Sequence, residues 1–181
     1  PHSELPLINY LAAARAANEL EDYAESDALL REAYEVTPEA DVAIAVTQAQ
    51  LQMVRGQFEQ ALATLTRLRK DHPKHLYALK LMSQVYLRLE DWARLLELLP
   101  ELRRQNALRE DELQALERRV HAALLAQAGA RAAAYNVRIN LKEIPDETFC
   151  SETGEALNTL LGECDSLAAT VAEAVEATLH G

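Results

Sequence analysis

Hydrophobic positions recur along most of this chain with the spacing of an α-helix. Near the N-terminus Leu7, Tyr10, Leu11, Ala14 and Ala17 lie three or four positions apart, which places them on one face of a helix. Similar stripes follow to about residue 128, separated by short polar or proline-containing segments. This pattern predicts an all-α fold in which amphipathic helices pack on one another.

Three aromatic residues mark a repeat within this series. Tyr23, Phe58 and Trp92 are separated by 35 and 34 residues, each in a polar phrase that indicates a tight turn between helices. Pro38 and Pro73 close the first two units and are also 35 residues apart. A period of about 34 residues is typical of stacked helical hairpins. We therefore predict a right-handed helical-hairpin solenoid over residues 5–128, with three repeats plus an extra helix and the aromatic residues wedged in its core.

The last part of this segment carries two further signals. Pro100 lies inside the second helix of the third hairpin, and a proline there predicts a break because it removes a hydrogen bond. The extra helix is predicted from about Arg109 to Gln127, where apolar residues again share one face.

Residues 131–181 follow a different pattern, which predicts a separate C-terminal segment. Val137, Ile139 and Leu141 alternate with polar residues, which predicts a strand over residues 136–144. A long final helix is then expected, with Ser151 or Thr153 as its N-cap. Its apolar stripe comprises Leu157, Leu160, Leu161, Cys164, Leu167, Val171 and Val175. This segment would either cap the solenoid or pair with another chain.

Charge is distributed unevenly and limits the kinds of partner. The net charge of −11 divides into −8 over residues 1–41, +6 over residues 42–142 and −9 over residues 143–181. A nucleic-acid-binding surface needs a broad basic area, which two acidic blocks do not provide. The basic middle block is suited to an acidic protein surface.

The repeat resembles the tetratricopeptide repeat. The residues that carry this resemblance are Gly56, Phe58, Ala61 and Pro73 in the second unit and Ala33 and Pro38 in the first. Glu21 and Glu90 replace the turn glycine in the other two units. The resemblance implies a protein that binds other proteins rather than an enzyme.

Residues 5–128 also resemble the HemY proteins of proteobacteria. The similar stretches run from Leu7 to Ala14, from Gln48 to Gln52, from Arg55 to Gln57 and from Leu87 to Pro100. That family has two N-terminal membrane helices and a cytoplasmic repeat domain linked to haem synthesis. The resemblance implies a scaffold for haem-biosynthetic enzymes on the cytoplasmic side of the inner membrane. Membrane attachment would use segments that this soluble chain lacks.

Tetratricopeptide repeats bind their partners on the inner face of each first helix. Transferred to this sequence, the resemblance places eight contact residues on that face: Arg15, Asn18, Gln50, Met53, Tyr77, Lys80, Gln84 and Arg88. Polar and cationic side chains with one Met and one Tyr are suited to an extended or helical peptide of acidic character. A merely solvated polar face is the alternative interpretation.

Two other functions are compatible with the sequence. The first is a haem or porphyrin carrier, for which His72 and His75 are the nearest candidate ligands, although no recognisable haem or metal motif is present. The second is self-association through the final helix, residues 146–181. We predict no cofactor and no catalytic residues, and we interpret Cys150 and Cys164 as free thiols, with Cys164 packed on the stripe of the final helix.

Overall fold

The computed structural model describes the backbone of residues 7–179 and the side chains of residues 7–165. Within that range the chain forms eight α-helices and one short 3₁₀ segment, with no strand. The predicted all-α helical-repeat fold is thereby confirmed. The chain divides into an N-terminal unit that ends at Leu89 and a C-terminal unit that begins at Glu90.

The N-terminal unit consists of consecutive helices joined by short turns. They are α1 (Leu7–Glu19), α2 (Tyr23–Val36), α3 (Asp41–Val54), α4 (Phe58–Asp71) and α5 (Leu76–Arg88), with the 3₁₀ segment Pro38–Ala40 before α3. Each helix packs on the next, and α3 also contacts α1 and α5. The first helices of the three predicted repeats therefore form a row, α1–α3–α5.

The core of this unit lies where the apolar stripes meet. Tyr10 and Ala14 of α1, Leu30 and Ala33 of α2 and Ile44 of α3 belong to one buried cluster. Leu65 of α4 and Leu79 of α5 have no exposed surface at all. Burying a leucine side chain contributes about 1.5–3 kcal/mol relative to leaving it in water, so these contacts fix the register of the row.

The repeated aromatic residues open α2, α4 and α6, as the turn phrases predict, but they are not equally buried. Trp92 is buried and Phe58 is half-buried, whereas Tyr23 is 42% exposed. The prediction of a core wedge is therefore wrong for Tyr23. Its ring instead covers the guanidinium of Arg55, 4.7 Å from the ring centroid, and a ring in that role keeps one face toward solvent.

The turns before α2, α4 and α6 all contain a residue with left-handed backbone. Gly56 has φ 74°, Glu21 has φ 61° and Glu90 has φ 54°. Left-handed geometry is strained for glutamate and not for glycine. The two glutamates keep this geometry because the next residue, Asp22 or Asp91, caps the following helix through its carboxylate.

We expect Glu21→Gly to stabilise the N-terminal unit by about 0.5–1 kcal/mol, because it relieves left-handed strain at a small cost in chain entropy. The matched reverse change is Gly56→Glu, since a Cβ at Gly56 meets no atom within 4 Å. It should destabilise by a similar amount. Urea unfolding followed by circular dichroism measures both, and equal shifts in the same direction would contradict the argument.

The C-terminal unit contains α6 (Trp92–Gln105), α7 (Glu110–Leu141) and α8 (Glu147–Leu179). The predicted break at Pro100 is wrong, because α6 continues through it. Pro100 is exposed, so the carbonyl that loses its helical donor can be hydrated, and the buried residues Leu95, Leu99 and Leu102 hold the opposite face in place.

The predicted strand over residues 136–144 is also wrong. Helix α7 extends through residues 128–131 to Leu141 and includes Val137, Ile139 and Leu141. The alternation covers only these three apolar residues, and the alanine-rich run at residues 130–134 before it has high helix propensity. Propensity and the continuing backbone hydrogen bonds of α7 outweigh so short an alternating signal.

The final helix begins earlier than predicted, at Glu147 rather than after Ser151 or Thr153. Its first turn is capped by Asp146, whose carboxylate accepts a hydrogen bond from the Phe149 amide at 3.0 Å. Along its predicted stripe, Leu157 and Leu161 are half-buried and Leu160 is 56% exposed. Leu167, Val171 and Val175 lie outside the described side chains.

The two cysteines are free thiols on α8. Fourteen residues of helix separate their α-carbons by about 21 Å, which is far too long for a disulfide. Cys164 is exposed, so the expectation that it is packed is wrong. No helix among the described residues is long and apolar enough to cross a membrane.

Candidate protein-binding face

The row α1–α3–α5 brings predicted contact residues from different repeats together. The amide Nε2 of Gln50 on α3 donates a hydrogen bond of 2.8 Å to the hydroxyl of Tyr77 on α5. Tyr77 is 44% exposed and Gln50 is half-buried, so the bond lies at the surface. It fixes the orientation of an aromatic ring that is still available to a partner.

Cationic and amide side chains occur on the same three helices. Arg15 on α1 and Gln84 and Arg88 on α5 are exposed, and Lys80 on α5 is half-buried. No acidic residue occurs in α5, and α3 has none after Asp41 at its first position. The α3–α5 part of the face therefore carries positive charge in a protein whose net charge is −11.

Apolar surface lies among these charges. Met53 near the end of α3 is half-buried, while Val54 is 75% exposed and Ile8 on α1 is 72% exposed. An exposed apolar side chain is common on any surface. Here all three belong to the first helices of the repeats, the same helices that carry Tyr77 and the cations, so the row offers both apolar anchors and charges.

Asn18, the remaining predicted contact, is in a different environment. It is 6% exposed, and its Oδ1 accepts a hydrogen bond from Nε of Arg55. A buried amide with an internal partner holds the helices together rather than contacting a ligand. The sequence pattern predicted Asn18 as a contact for a binding partner and did not indicate this internal partner.

The side chain of Arg55 is only 3% exposed and is held by several partners. One terminal nitrogen donates to Oδ1 of Asp27 at 2.8 Å, and the other donates to Oγ of Ser26 at 2.8 Å. Ser26 in turn donates to the carbonyl of Ala14 at 2.8 Å. Together with the bond to Asn18, this network ties the end of α3 to both helices of the first hairpin.

The two candidate haem ligands take part in other interactions. Nε2 of His72 lies 3.0 Å from Oδ2 of Asp41, and this hydrogen bond lowers the pKa of the Asp41 carboxyl. Nδ1 of His75 accepts a hydrogen bond from the Ala78 amide and so caps α5. No group of three or more potential metal ligands occurs among the described residues.

A cleft of about 440 Å³ lies between α2, α3 and α4, away from the contact pair. Its rim contains four carboxylates, Asp27, Glu35, Asp41 and Asp71, against two guanidiniums, Arg31 and Arg67. A porphyrin carries carboxylates of its own, and an acidic rim repels them. The cleft is therefore poorly suited to a tetrapyrrole.

Comparison with known proteins supports a helical-repeat protein. Residues 5–94 match the family model described as tetratricopeptide repeat protein 21 ARM repeat. A second, shorter match covers residues 111–159 and is described as formiminotransferase-cyclodeaminase. No solved structure matches the chain.

Among curated proteins, the chain is similar to Protein HemY of Escherichia coli strain K12 and of Shigella flexneri. In both cases 30% of the residues are identical over 129 positions, which cover 71% of this chain and 32% of the relative. The chain thus spans about a third of the length of these relatives. The matches confirm the predicted resemblance to tetratricopeptide-repeat proteins and to HemY.

Proposed function

We propose that this tetratricopeptide-type repeat protein, which resembles HemY, binds an acidic segment of another protein on the α1–α3–α5 face. The observation that supports this most directly is the Gln50–Tyr77 hydrogen bond, which orients an exposed aromatic ring one helical turn before Lys80 on α5. Aromatic residues in such positions are common anchors of protein interfaces. The helical-repeat fold favours a scaffold without catalysis of its own.

Each group on the face has a distinct role in this proposal. Arg15, Lys80 and Arg88 attract carboxylates, and because these interactions are solvent-accessible they raise the association rate more than the affinity. Gln84 bonds to the partner backbone, while Met53 and Tyr77 bury apolar surface. Asn18 contributes indirectly, because it fixes α1 through Arg55.

The broader biological setting is also proposed by similarity. Because the relatives are HemY proteins, we propose that the longer protein is anchored in the bacterial inner membrane with its repeats on the cytoplasmic side. Its partners would then be enzymes of haem biosynthesis. The carrier alternative is less well supported, since His72 and His75 already have intramolecular partners.

The proposed face is tested by reversing its charge. The double variant Lys80→Glu, Arg88→Glu should lose at least 10-fold in affinity for acidic helical peptides selected by display against the wild-type chain. The matched control is Lys70→Glu, Lys74→Glu, which makes the same charge change at exposed positions outside α5. Fluorescence anisotropy measures the affinities of both double variants at about 0.15 M salt. At that ionic strength, charge interactions are screened over about 8 Å.

The selected peptides provide the decisive comparison. Their affinity should fall when their Glu residues are replaced by Gln, and Tyr77→Ala should weaken binding by a further 10-fold or more. Selection of peptides without acidic residues, or equal losses in both charge variants, would contradict the proposal. Circular dichroism at 222 nm checks that each variant keeps its helix content.

A further inference from the structure

On the side of α7 that faces away from α8, the exposed residues change from polar to apolar along the helix. In its first half the exposed positions on this face are polar, for example Gln114 and His121. In its second half they are apolar and all exposed: Leu125, Ala128, Ala132, Tyr135 and Ile139, here called the α7 stripe. The three large members are 73%, 65% and 57% exposed for Leu125, Tyr135 and Ile139.

The contacts of the C-terminal unit itself leave the α7 stripe uncovered. Ala134 is buried where α7 packs on α8, and it lies about 160° around the helix from Ala132. Arg131 and Arg138 also turn toward α8, where they reach Asp165 at 3.8 Å and Asn158 at 2.9 Å. Helix α8 therefore covers the opposite side of α7.

The steps between the stripe residues alternate between three and four positions. This is the a/d spacing of a helix that packs against another helix along a continuous seam. Surface helices of monomers have polar residues at such exposed positions. The stripe thus indicates a helical occupant about four turns long.

We propose that the occupant is the α7 stripe of a second copy of this chain, antiparallel to the first, with the two-fold axis at Ala132. In this arrangement residues whose numbers sum to about 264 face each other. Leu125 then meets Ile139 of the second copy, and Tyr135 meets Ala128 of the second copy. Each large side chain lies over a small one or beside an aliphatic one, which is the size complementarity that close helix packing requires.

A parallel arrangement and an acidic partner both fit less well. Parallel pairing would set Tyr135 against Tyr135 and Ala132 against Ala132, so that the seam would be alternately crowded and empty. An acidic helix would need free cations beside the stripe, but Arg131 and Arg138 are engaged by α8. The pairing is isologous, since the same patch serves on both copies.

The contact is short, so the dimer should be weak. Fifteen residues of helix extend about 22 Å, and a contact of this length buries on the order of 1,000 Å² in total, the low end for specific interfaces. We therefore expect a dissociation constant in the micromolar range. This dimer uses the C-terminal unit and is independent of the partner proposed for the α1–α3–α5 face.

Sedimentation equilibrium over about 2–200 µM tests the proposal with a matched pair of variants. Ala132→Glu places a charge on the two-fold axis, whereas Ala133→Glu places the same charge at an exposed neighbour about 100° around the helix. We expect the first to weaken dimerisation at least 100-fold and the second to change it less than threefold. A wild-type chain that stays monomeric at 200 µM, or equal effects of the two variants, would overturn the proposal.

A crosslinking measurement identifies the surface independently. In a background with Cys150→Ser and Cys164→Ser, Ala132→Cys should form a reversible disulfide-linked dimer under mild oxidation, because the two thiols meet at the axis. Ala133→Cys in the same background should crosslink at least tenfold more slowly. Equal rates would place the contact elsewhere, for example on α8, and would also overturn the proposal.

Discussion

Replacing Arg55 with methionine is expected to destabilise the N-terminal unit by about 3 kcal/mol. The change leaves Oδ1 of Asn18 buried without a donor, which costs about 1–3 kcal/mol. It also removes the contact with the ring of Tyr23, which contributes about 0.5–1 kcal/mol or more. Asp27 adds little to the loss because half of its side chain is already exposed to solvent.

The control for this prediction is the same substitution at a surface ion pair. Arg94 is 61% exposed and lies 3.4 Å from Asp91, so Arg94→Met should cost less than about 0.5 kcal/mol. Urea unfolding at low and high salt measures both variants. A loss below 1 kcal/mol for Arg55→Met, or a loss that largely disappears in 1 M NaCl, would show that Arg55 behaves as an ordinary surface cation.

Truncating Leu79 to alanine is expected to cost about 3–4 kcal/mol. The side chain has no exposed surface, and the cavity left by a buried leucine adds to the lost transfer free energy. Leu79 faces the core from α5, the helix that carries Tyr77 and Lys80 on its other side. The variant should therefore also lower the affinity of the α1–α3–α5 face under conditions where α5 is partly unfolded.

Leu76→Ala is the matched control because Leu76 opens the same helix but is 46% exposed. Its cost should be about 1 kcal/mol, well below that of Leu79→Ala, since about half of its surface stays in contact with water in the folded state. Thermal unfolding and hydrogen exchange of α5 amides measure the difference. Similar losses at the two positions would mean that the core does not lie where the structure places it.

The N-terminal unit was largely predictable because its information is local. The spacing of Tyr23 and Phe58 and the glycine at position 56 determine where the turns occur, and the apolar positions then determine which sides of the helices meet. The same register placed Gln50 and Tyr77 on one face, where they bond to each other. The helical register does not identify the proteins that bind to this face, so the partner stays a prediction.

Three features were not predictable in this way. The burial of Arg55 depends on residues 28 to 37 positions away, Asp27 and Asn18 among them, and no local pattern distinguishes it from an exposed arginine. Helix α6 continues through Pro100 because that residue faces solvent, and its exposure cannot be read from the local sequence. The prediction of a strand at residues 136–144 was wrong because three alternating apolar residues fit a helix as well as a strand. The long helix that precedes them decides in favour of the helix.

The network around Arg55 also has a consequence for the order of events during synthesis. The first hairpin, residues 7–36, is completed by a side chain that belongs to the end of the second repeat's first helix. Synthesis adds about 5–20 residues per second, so about one to four seconds pass between the addition of residue 36 and that of residue 55. During that interval the Asn18 amide has not yet met its donor on Arg55, and we expect the nascent chain to become resistant to proteases only after the second repeat has folded against the first.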